Sequence, residues 1–223
     1  MIFAQSYPAV ELQAVTDSVW VHTTYKTYGQ YKVPSNGLIV QTAEGLILID
    51  TPWDDSLTTK LLAVARERFD QNIAFAVVTH AHDDRMGGIH VLHENGIKVV
   101  GYSLVCQRAE ALGYEKPEQI LSADTVFSIG NKNFELFYPG AGHTIDNTVV
   151  WLLDQKILFG GCLVKAESAA DLGNVREAYL EEWPRSINRL IEKFPDGRII
   201  VPGHGQWGGL KLLNHTMNLL SKQ

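Results

Sequence analysis

The sequence predicts a mixed α/β (α+β) fold, a four-layer αββα sandwich built from two pseudo-equivalent ββα halves. Short β-prone segments separated by turns occur near the start of the chain and again after its middle. Each group continues into alternating helices and strands, and residues 73–79 form an almost continuous apolar run, typical of a strand covered on both faces. Two sheets packed face to face, with helices outside, would bury all of these apolar surfaces.

The first half, about residues 1–115, begins with antiparallel strands whose turns lie at 34–37 and 44–45. Apolar residues at helical spacing then follow Asp54 and Asp55, which are favoured helix-capping residues. In chain order, we predict strands 19–23, 38–41 and 46–50, a helix over 57–69, strand 73–79, a helix over 87–94, strand 98–101 and a helix over 103–112.

The second half, about residues 116–223, repeats this order, and its helical region is interrupted at Pro184. We predict strands 125–129, 134–138, 148–153 and 157–159, a helical region over 175–193, strand 198–202 and a helix over 210–220. No Gly/Ser-rich linker separates the halves, so residues 1–223 are expected to form one domain.

Composition excludes several classes of protein. With 45% hydrophobic and 20% charged residues, the 223-residue chain can bury a core, so disorder is not expected. A net charge of -6 provides no basic stripe for a phosphate backbone, which argues against a nucleic-acid partner. No run of eighteen apolar residues occurs, so no membrane span is expected. The start, residues 1–5, is too short for a secretory signal. Two cysteines, Cys106 and Cys162, allow at most one disulfide.

Side chains that can bind zinc follow the β-prone runs in four places. They are His80, His82 and Asp84 in the string HAHDDR at 80–85, then His143, Cys162 and His204. Imidazoles, carboxylates and thiolates are the donors that zinc prefers, and this set is large enough for two adjacent ions. Taken singly, each residue has an ordinary explanation in a turn or the core, but four such coincidences are improbable. The other histidines, His22, His90, His93 and His215, lack this setting and are expected at the surface or packed in the core.

The spacing within the first string selects one of two adjacent aspartates. Residues two apart beyond a strand point to the same side, so Asp84 rather than Asp83 is expected to converge with His80 and His82. At the later positions, glycines at 140, 142, 160, 161, 203 and 205 let the backbone turn tightly and present the donor side chains.

From the segment 19–23 (VWVHT) through 33–37 (VPSNG) to 202–205 (PGHG), the sequence resembles the metallo-β-lactamase fold and, more closely, subclass B1 of the metallo-β-lactamases. Other hydrolases of this superfamily, such as glyoxalase II and the lactonases, have His-x-His-x-Asp-His and an aspartate that bridges the metals. Here Arg85 stands in place of that second histidine and Cys162 in place of that aspartate. Both departures favour the β-lactamase branch.

The resemblance implies an active site at the edge between the sheets, with two zinc ions per chain. The implied ligands are His80, His82 and His143 for one ion, and Asp84, Cys162 and His204 for the other. A zinc-bound hydroxide, oriented by Asp84, would attack the lactam carbonyl of penicillins, cephalosporins and carbapenems, conferring antibiotic resistance. The zinc bound through Asp84 would stabilise the nitrogen anion that forms as the C–N bond breaks.

The resemblance also implies how substrate is held. Lys165 resembles the family lysine that pairs with the substrate carboxylate, and Asn174 resembles the asparagine near the developing oxyanion. The segment 24–32, which contains Tyr28, would be a mobile hairpin over apolar substituents, and Trp53 would line the pocket floor. The ordinary alternatives are a surface lysine, a turn asparagine and a core tryptophan.

Two other functions remain open at this point. The protein could be a thioester or lactone hydrolase like glyoxalase II, or a non-catalytic zinc-binding module. Structural zinc sites fill all four coordination positions with protein ligands, whereas three ligands for each ion leave open positions and favour catalysis. Arg85 would either lie at the surface or align Asp84 and Cys162 as a fixed cation. The resemblance further implies a monomer in the periplasm or secreted, its signal peptide removed or omitted from this chain.

Overall fold

The computed structural model describes residues 9–223, so the segment 1–5 lies outside the described residues. The first of its two sheets has seven strands: β1 Glu11–Thr16, β2 Val19–Tyr28, β3 Tyr31–Thr42, β4 Gly45–Ile49, β5 Ile73–Val78, β6 Lys98–Tyr102 and β7 Gln119–Leu121. They lie side by side in chain order, antiparallel from β1 to β4 and parallel from β4 to β7. The helices between the parallel strands are α1 Asp55–Phe69, α2 Asp83–Met86, α3 Ile89–Glu94 and α4 Ser103–Leu112.

The second sheet has five strands, which also lie in chain order. They are β8 Thr125–Ile129, β9 Lys132–Phe137, β10 Val149–Leu152, β11 Ile157–Gly161 and β12 Ile199–Pro202. All neighbours are antiparallel except β11 and β12, which run parallel because α5 Trp183–Lys193 crosses between them. The last helix is α6 Lys211–Leu220. Among residues 9–223, no helix combines the length and apolarity needed to cross a bilayer.

Three buried clusters show how the layers pack. One lies between the first sheet and α1, α3 and α4, and includes Leu48 and Leu61. The central cluster joins the inner faces of the two sheets, for example through Val77 and Phe159. The third lies between the second sheet and α5 and α6, around Trp183. The predicted four-layer αββα sandwich is therefore confirmed.

Several predicted elements differ from the structure. The edge strands β1 and β7 were not predicted, because their sequences lack a clear apolar alternation: no residue of β1 is buried and only Leu121 of β7 is. The helix predicted over 87–94 corresponds to α3, and the short helix α2 that precedes it was not predicted. The helical region predicted over 175–193 is wrong before Trp183, since residues 175–182 form turns, and Pro184 lies in the first turn of α5, where proline is tolerated.

Candidate metal centre

Four connections at one edge of the sandwich bring the predicted donors together. The loop after β5 carries His80 and His82, the β9–β10 connection carries His143, Cys162 directly follows β11, and His204 follows β12. Donor atoms of His80, His82 and His143 all lie within 4.8 Å of one another, and so do those of His80, Asp84 and Cys162. Side chains far apart in the sequence thus form two adjoining groups with metal-binding geometry.

The three-histidine group is compact. The ring centroids of His80, His82 and His143 are 4.7 to 5.3 Å apart, and His80 Nε2 lies 3.1 Å from His82 Nδ1. Burial holds the pKa of His80 and of His143 well below the usual range, and the neighbouring histidines lower both further. Neutral imidazole is the form that binds a metal ion, so these rings need lose no proton to do so.

Asp84 and Cys162 lie beside His204 as well as His80, and Asp84, Cys162 and His204 together form the second group. His204 Nε2 lies 3.2 Å from Asp84 Oδ2 and 3.3 Å from Cys162 Sγ, and the thiol lies 3.5 Å from the same carboxylate oxygen. Burial opposes a charge on His204, but Cys162 and Asp84 raise its pKa to about 10. A positive charge is therefore favoured between the carboxylate and the thiol, as expected of a site whose donors suit a cation.

Two glycines allow the backbone to approach the second group closely. Gly161, immediately before Cys162, has φ 53°, a left-handed conformation that side chains disfavour. A Cβ atom at Gly203 would lie 2.8 Å from Cys162 Sγ and 2.9 Å from Arg85 Nη2. A side chain at position 203 would displace the thiol and one at position 161 would strain the backbone, which explains the glycines that precede His204 and Cys162.

Arg85 is completely buried behind the second group. Its Nε and Nη2 donate to Asp84 Oδ2 at 3.0 and 2.7 Å, and Nη2 also donates to the Gly203 carbonyl at 2.9 Å. Nη1 donates to the Asn36 carbonyl at 2.5 Å and to Asp50 Oδ2 at 3.2 Å. The guanidinium fixes one face of Asp84, and the surface alternative for Arg85 is wrong.

The prediction of Asp84 in place of Asp83 assumes that the backbone stays strand-like through residue 84, and this assumption is wrong. Asp83 begins the helical turn α2, which His82 caps in an extended conformation, so period-two geometry ends at His82. The helical turn nevertheless directs the side chains of Asp83 and Asp84 to different environments. Asp84 is buried and faces Cys162, whereas Asp83 is partly exposed and bonds to Lys26 2.8 Å away.

Asn36 joins the two sheets beside the second group. Its backbone N–H donates to the Gly203 carbonyl at 2.9 Å, and its Nδ2 donates to the carbonyls of Pro202 and Gly205 at 3.0 and 2.7 Å. His204 Nδ1 lies 2.5 Å from the carbonyl of Pro34 on the same strand. These bonds orient the His204 ring so that Nε2 faces Asp84 and Cys162.

Sequence reasoning missed Glu177, which lies beside the three-histidine group. Its Oε2 is 2.7 Å from His82 Nε2 and accepts a hydrogen bond of 2.7 Å from Arg108 Nη2. Arg108 also lies 3.3 Å from Asp146, which accepts a 2.9 Å bond from the Ala81 N–H. Glu177 thus orients His82 so that Nδ1 faces His80. Only its proximity to Asn174 in the sequence could have drawn attention to it.

Replacing Glu177 with alanine is expected to weaken metal binding by about 10- to 100-fold, the usual cost of losing a partner of a metal-binding histidine. Zinc titration against a competing chelator would measure the change. Glu181→Ala is a matched control, because Glu181 is an exposed residue nearby in the sequence. Equal zinc affinities for the two variants would contradict a role for Glu177.

A cavity of about 730 Å³ opens over both groups. Its lining includes the remaining predicted residues, Lys165, Asn174, Tyr28 and Trp53. Lys165 is partly buried, with Nζ 5.2 Å from the centroid of the Trp183 ring, whereas Asn174 is exposed. Trp53 is 7% exposed and lies 6.0 Å from the ring of Tyr28, which is 48% exposed. The structure therefore places all four at the same cavity as the donors.

The other histidines lie away from the two groups. Their partners are the Asp50 carbonyl for His22, the Glu115 carboxylate for His90 and His93, and the Ala169 carbonyl for His215. Both cysteines are free, and Cys106 is buried in α4.

The donors present fit a transition metal, because they combine neutral imidazoles, a carboxylate and a thiol at the spacing that zinc sites use. The atom His143 Nδ1 is buried without a hydrogen-bond partner, although its ring faces the other two histidines. The site thus carries the chemistry of a metal centre, which in proteins with these ligands is typically zinc.

Comparison with known proteins agrees with this geometry. The model of the Metallo-beta-lactamase superfamily matches residues 31–204. The chain is 44% identical over 211 residues to a metallo-beta-lactamase type 2 from Bacillus cereus, covering 95% of this chain and 82% of that protein.

Solved structures are similar over nearly the whole chain. A metallo-beta-lactamase from Pontibacter korlensis superposes with a TM-score of 0.94 at 44% identity, covering 96% of this chain and 100% of that one. The metallo-beta-lactamase FIM-1 from Pseudomonas aeruginosa, in a mono-zinc form, gives a TM-score of 0.90 at 36% identity and covers 96% of each chain. The fold, the metal-binding groups and these similarities together show that the chain is an enzyme and belongs to the metallo-beta-lactamase superfamily.

Proposed function

We propose that this protein is a subclass B1 metallo-β-lactamase that hydrolyses the amide bond of penicillins, cephalosporins and carbapenems. The observation that carries the proposal is the Asp84–Cys162–His204 group beside three histidines at the floor of a cavity. The proposal extends to two zinc ions per chain, one bound by His80, His82 and His143 and the other by Asp84, Cys162 and His204.

Bound zinc would supply a water molecule acidic enough to be the nucleophile near neutral pH and a positive charge for the departing nitrogen. The side chains around it have separate tasks. Asp84 Oδ2 is fixed by two hydrogen bonds from Arg85, so its carboxylate can hold the nucleophile in one orientation. Although burial opposes ionisation, Arg85 and His204 hold the pKa of Asp84 well below the usual range, which keeps it an acceptor.

Lys165 and Asn174 would bind substrate from the opposite wall of the cavity. Burial lowers the pKa of Lys165, although Cys162 and Asp84 oppose this, so a substrate carboxylate would add a stabilising partner for its ammonium. The Asn174 amide would donate to the oxygen of the lactam carbonyl as negative charge develops there. Tyr28 and Trp53 provide apolar cover for substituents of the substrate.

Hydrolysis of a chromogenic cephalosporin tests the proposal directly. The zinc-loaded protein is expected to open the lactam, to stop when a chelator removes the metal, and to recover on addition of zinc. Circular dichroism would verify that the chelated protein remains folded. A folded, zinc-loaded protein without turnover would contradict the proposal, and turnover of S-lactoylglutathione instead would favour a glyoxalase II-like enzyme.

We infer that the protein acts as a single-domain monomer in the periplasm or outside the cell, where β-lactams reach it and where its hydrolysis of them would confer antibiotic resistance. Support comes from the metal centre, which takes donors from both sheets, and from similarity to metallo-beta-lactamases over 95% of this chain.

A further inference from the structure

Asp83 connects two segments on opposite sides of the cavity. Lys26 Nζ, from β2, donates to Asp83 Oδ2 at 2.8 Å, and the Tyr114 hydroxyl, which follows α4, donates to Asp83 Oδ1. Each carboxylate oxygen therefore bonds to a different segment. The side chains of Lys26 and Asp83 are 36% and 47% exposed, so the connection lies at the cavity rim.

Lys26 belongs to the hairpin formed by β2 and β3. It pairs with Val33 across the hairpin, and its Nζ lies 5.4 Å from the Tyr28 ring and 5.6 Å from the Trp53 ring. Tyr28 and Val33 line the cavity from the hairpin side. A bond to Lys26 therefore restrains the same strand pair that forms the apolar cover.

The hairpin tip is exposed to solvent. Tyr28 and Tyr31, at the tip, are 48% and 68% exposed. By contrast, Asp83 lies in the α2 turn, whose next residues, Asp84 and Arg85, are buried and extensively hydrogen-bonded. Exposed segments open more easily than buried, hydrogen-bonded ones. The bonds at Asp83 would therefore restrain the hairpin and not the α2 turn.

The three side chains suit this arrangement in charge and hydrogen bonding. Lys26 and Asp83 form an ion pair of opposite charges, and the Tyr114 hydroxyl donates to the other carboxylate oxygen of Asp83.

We propose that Asp83 is a positioning residue that fastens the β2–β3 hairpin over the cavity, through Lys26 on one side and Tyr114 on the other. If the proposed function holds, this fastening sets how closely the hairpin covers apolar substituents of a β-lactam. Asp83, which lies between His82 and Asp84 in the sequence, would thus influence which substrates bind well.

Hydrogen exchange measured by mass spectrometry on the zinc-loaded protein tests the fastening without any substrate. Lys26→Met, Asp83→Asn and Tyr114→Phe are each expected to accelerate amide exchange in residues 24–32 by about threefold, the size that a half-exposed ion pair provides. The control is Asp196→Asn, which removes an equivalent exposed pair with Lys156 far from the cavity and is expected to leave exchange in that segment unchanged.

Steady-state kinetics with two cephalosporins test the effect on substrates. Lys26→Met is expected to raise KM about threefold for a cephalosporin with a large aromatic substituent, to leave KM for one with a methyl substituent unchanged, and to keep kcat within twofold for both. In the Asp83→Asn background, Lys26→Met is expected to have no additional effect, because its partner is already lost.

The two assays separate the possible failures. Unchanged exchange in residues 24–32, or a full effect of Lys26→Met in the Asp83→Asn background, would overturn the fastening. Faster exchange with equal KM changes for both cephalosporins would overturn its role in substrate choice. A wild-type protein that does not hydrolyse cephalosporins refutes the proposed function, while the exchange data still decide whether Asp83 holds the hairpin.

Discussion

Replacing Cys162 with serine is expected to lower the zinc content from two ions per chain to one and to reduce kcat by at least about 100-fold. Thiolate is the softest donor of the second group, and a serine hydroxyl stays protonated near neutral pH, so it binds zinc poorly. In the proposed mechanism the second zinc supplies a positive charge opposite the departing nitrogen, and electrostatic stabilisation of this kind commonly contributes about 100- to 1000-fold to rate. Equilibrium dialysis followed by metal analysis, with parallel cephalosporin kinetics, measures both effects.

Cys106→Ser is the matched control for this substitution. Cys106 is also buried, and burial raises its thiol pKa to about 11, but it lies in α4 away from the donors. Its replacement is expected to leave two zinc ions per chain and near-normal kcat. Two tightly bound zinc ions in the Cys162→Ser protein would contradict the assignment of Cys162 as a ligand.

Replacing Arg85 with alanine is expected to lower the free energy of unfolding by about 3–5 kcal/mol, the usual cost of removing one partner of a buried ion pair. Two carboxylates, those of Asp84 and Asp50, would then lie buried without their guanidinium partner. The carbonyls of Asn36 and Gly203 would lose donors as well. Urea denaturation in the presence of a chelator measures this loss without a contribution from bound metal.

An exposed arginine provides the comparison. Arg185 forms an ion pair with Glu182, but its side chain is 69% exposed, so Arg185→Ala is expected to cost less than about 1 kcal/mol. Arg85→Lys should be intermediate, because an ammonium group retains the charge but cannot reproduce the planar fork that bonds four neighbours. A loss below about 1 kcal/mol for Arg85→Ala would show that the buried network relaxes without it.

The layers of the sandwich were predictable from sequence because they depend on local apolar patterns. The continuous apolar run in β5 and the helical spacing of apolar residues in α1 each mark the residues that the element buries. Asp54 even fulfils the predicted capping role, accepting a 2.8 Å hydrogen bond from the Leu57 N–H. The six candidate donors were predictable as such for a similar reason, since each follows a recognisable strand and is of a metal-binding type.

Contacts between distant segments were not predictable in this way. The burial of Arg85 depends on Asn36 and Gly203, which lie far from it in the sequence. The position of Glu177 beside His82 depends on a segment with no regular secondary structure, where periodicity is uninformative. Such residues are fixed by the tertiary fold, and single-sequence patterns carry no signal for it.

The candidate donors are divided between the two halves of the chain, so metal binding would report whether two separated halves have reassembled. A cut between residues 115 and 116 would leave His80, His82 and Asp84 on one fragment and His143, Cys162 and His204 on the other. Neither fragment would contain all the proposed ligands of either zinc ion. Neither is therefore expected to bind zinc tightly until the fragments associate and Asn36 contacts the loop after β12. The same sequence that builds a hydrolase is thereby suited to a split-protein sensor, in which metal capture signals that two separately made pieces have met.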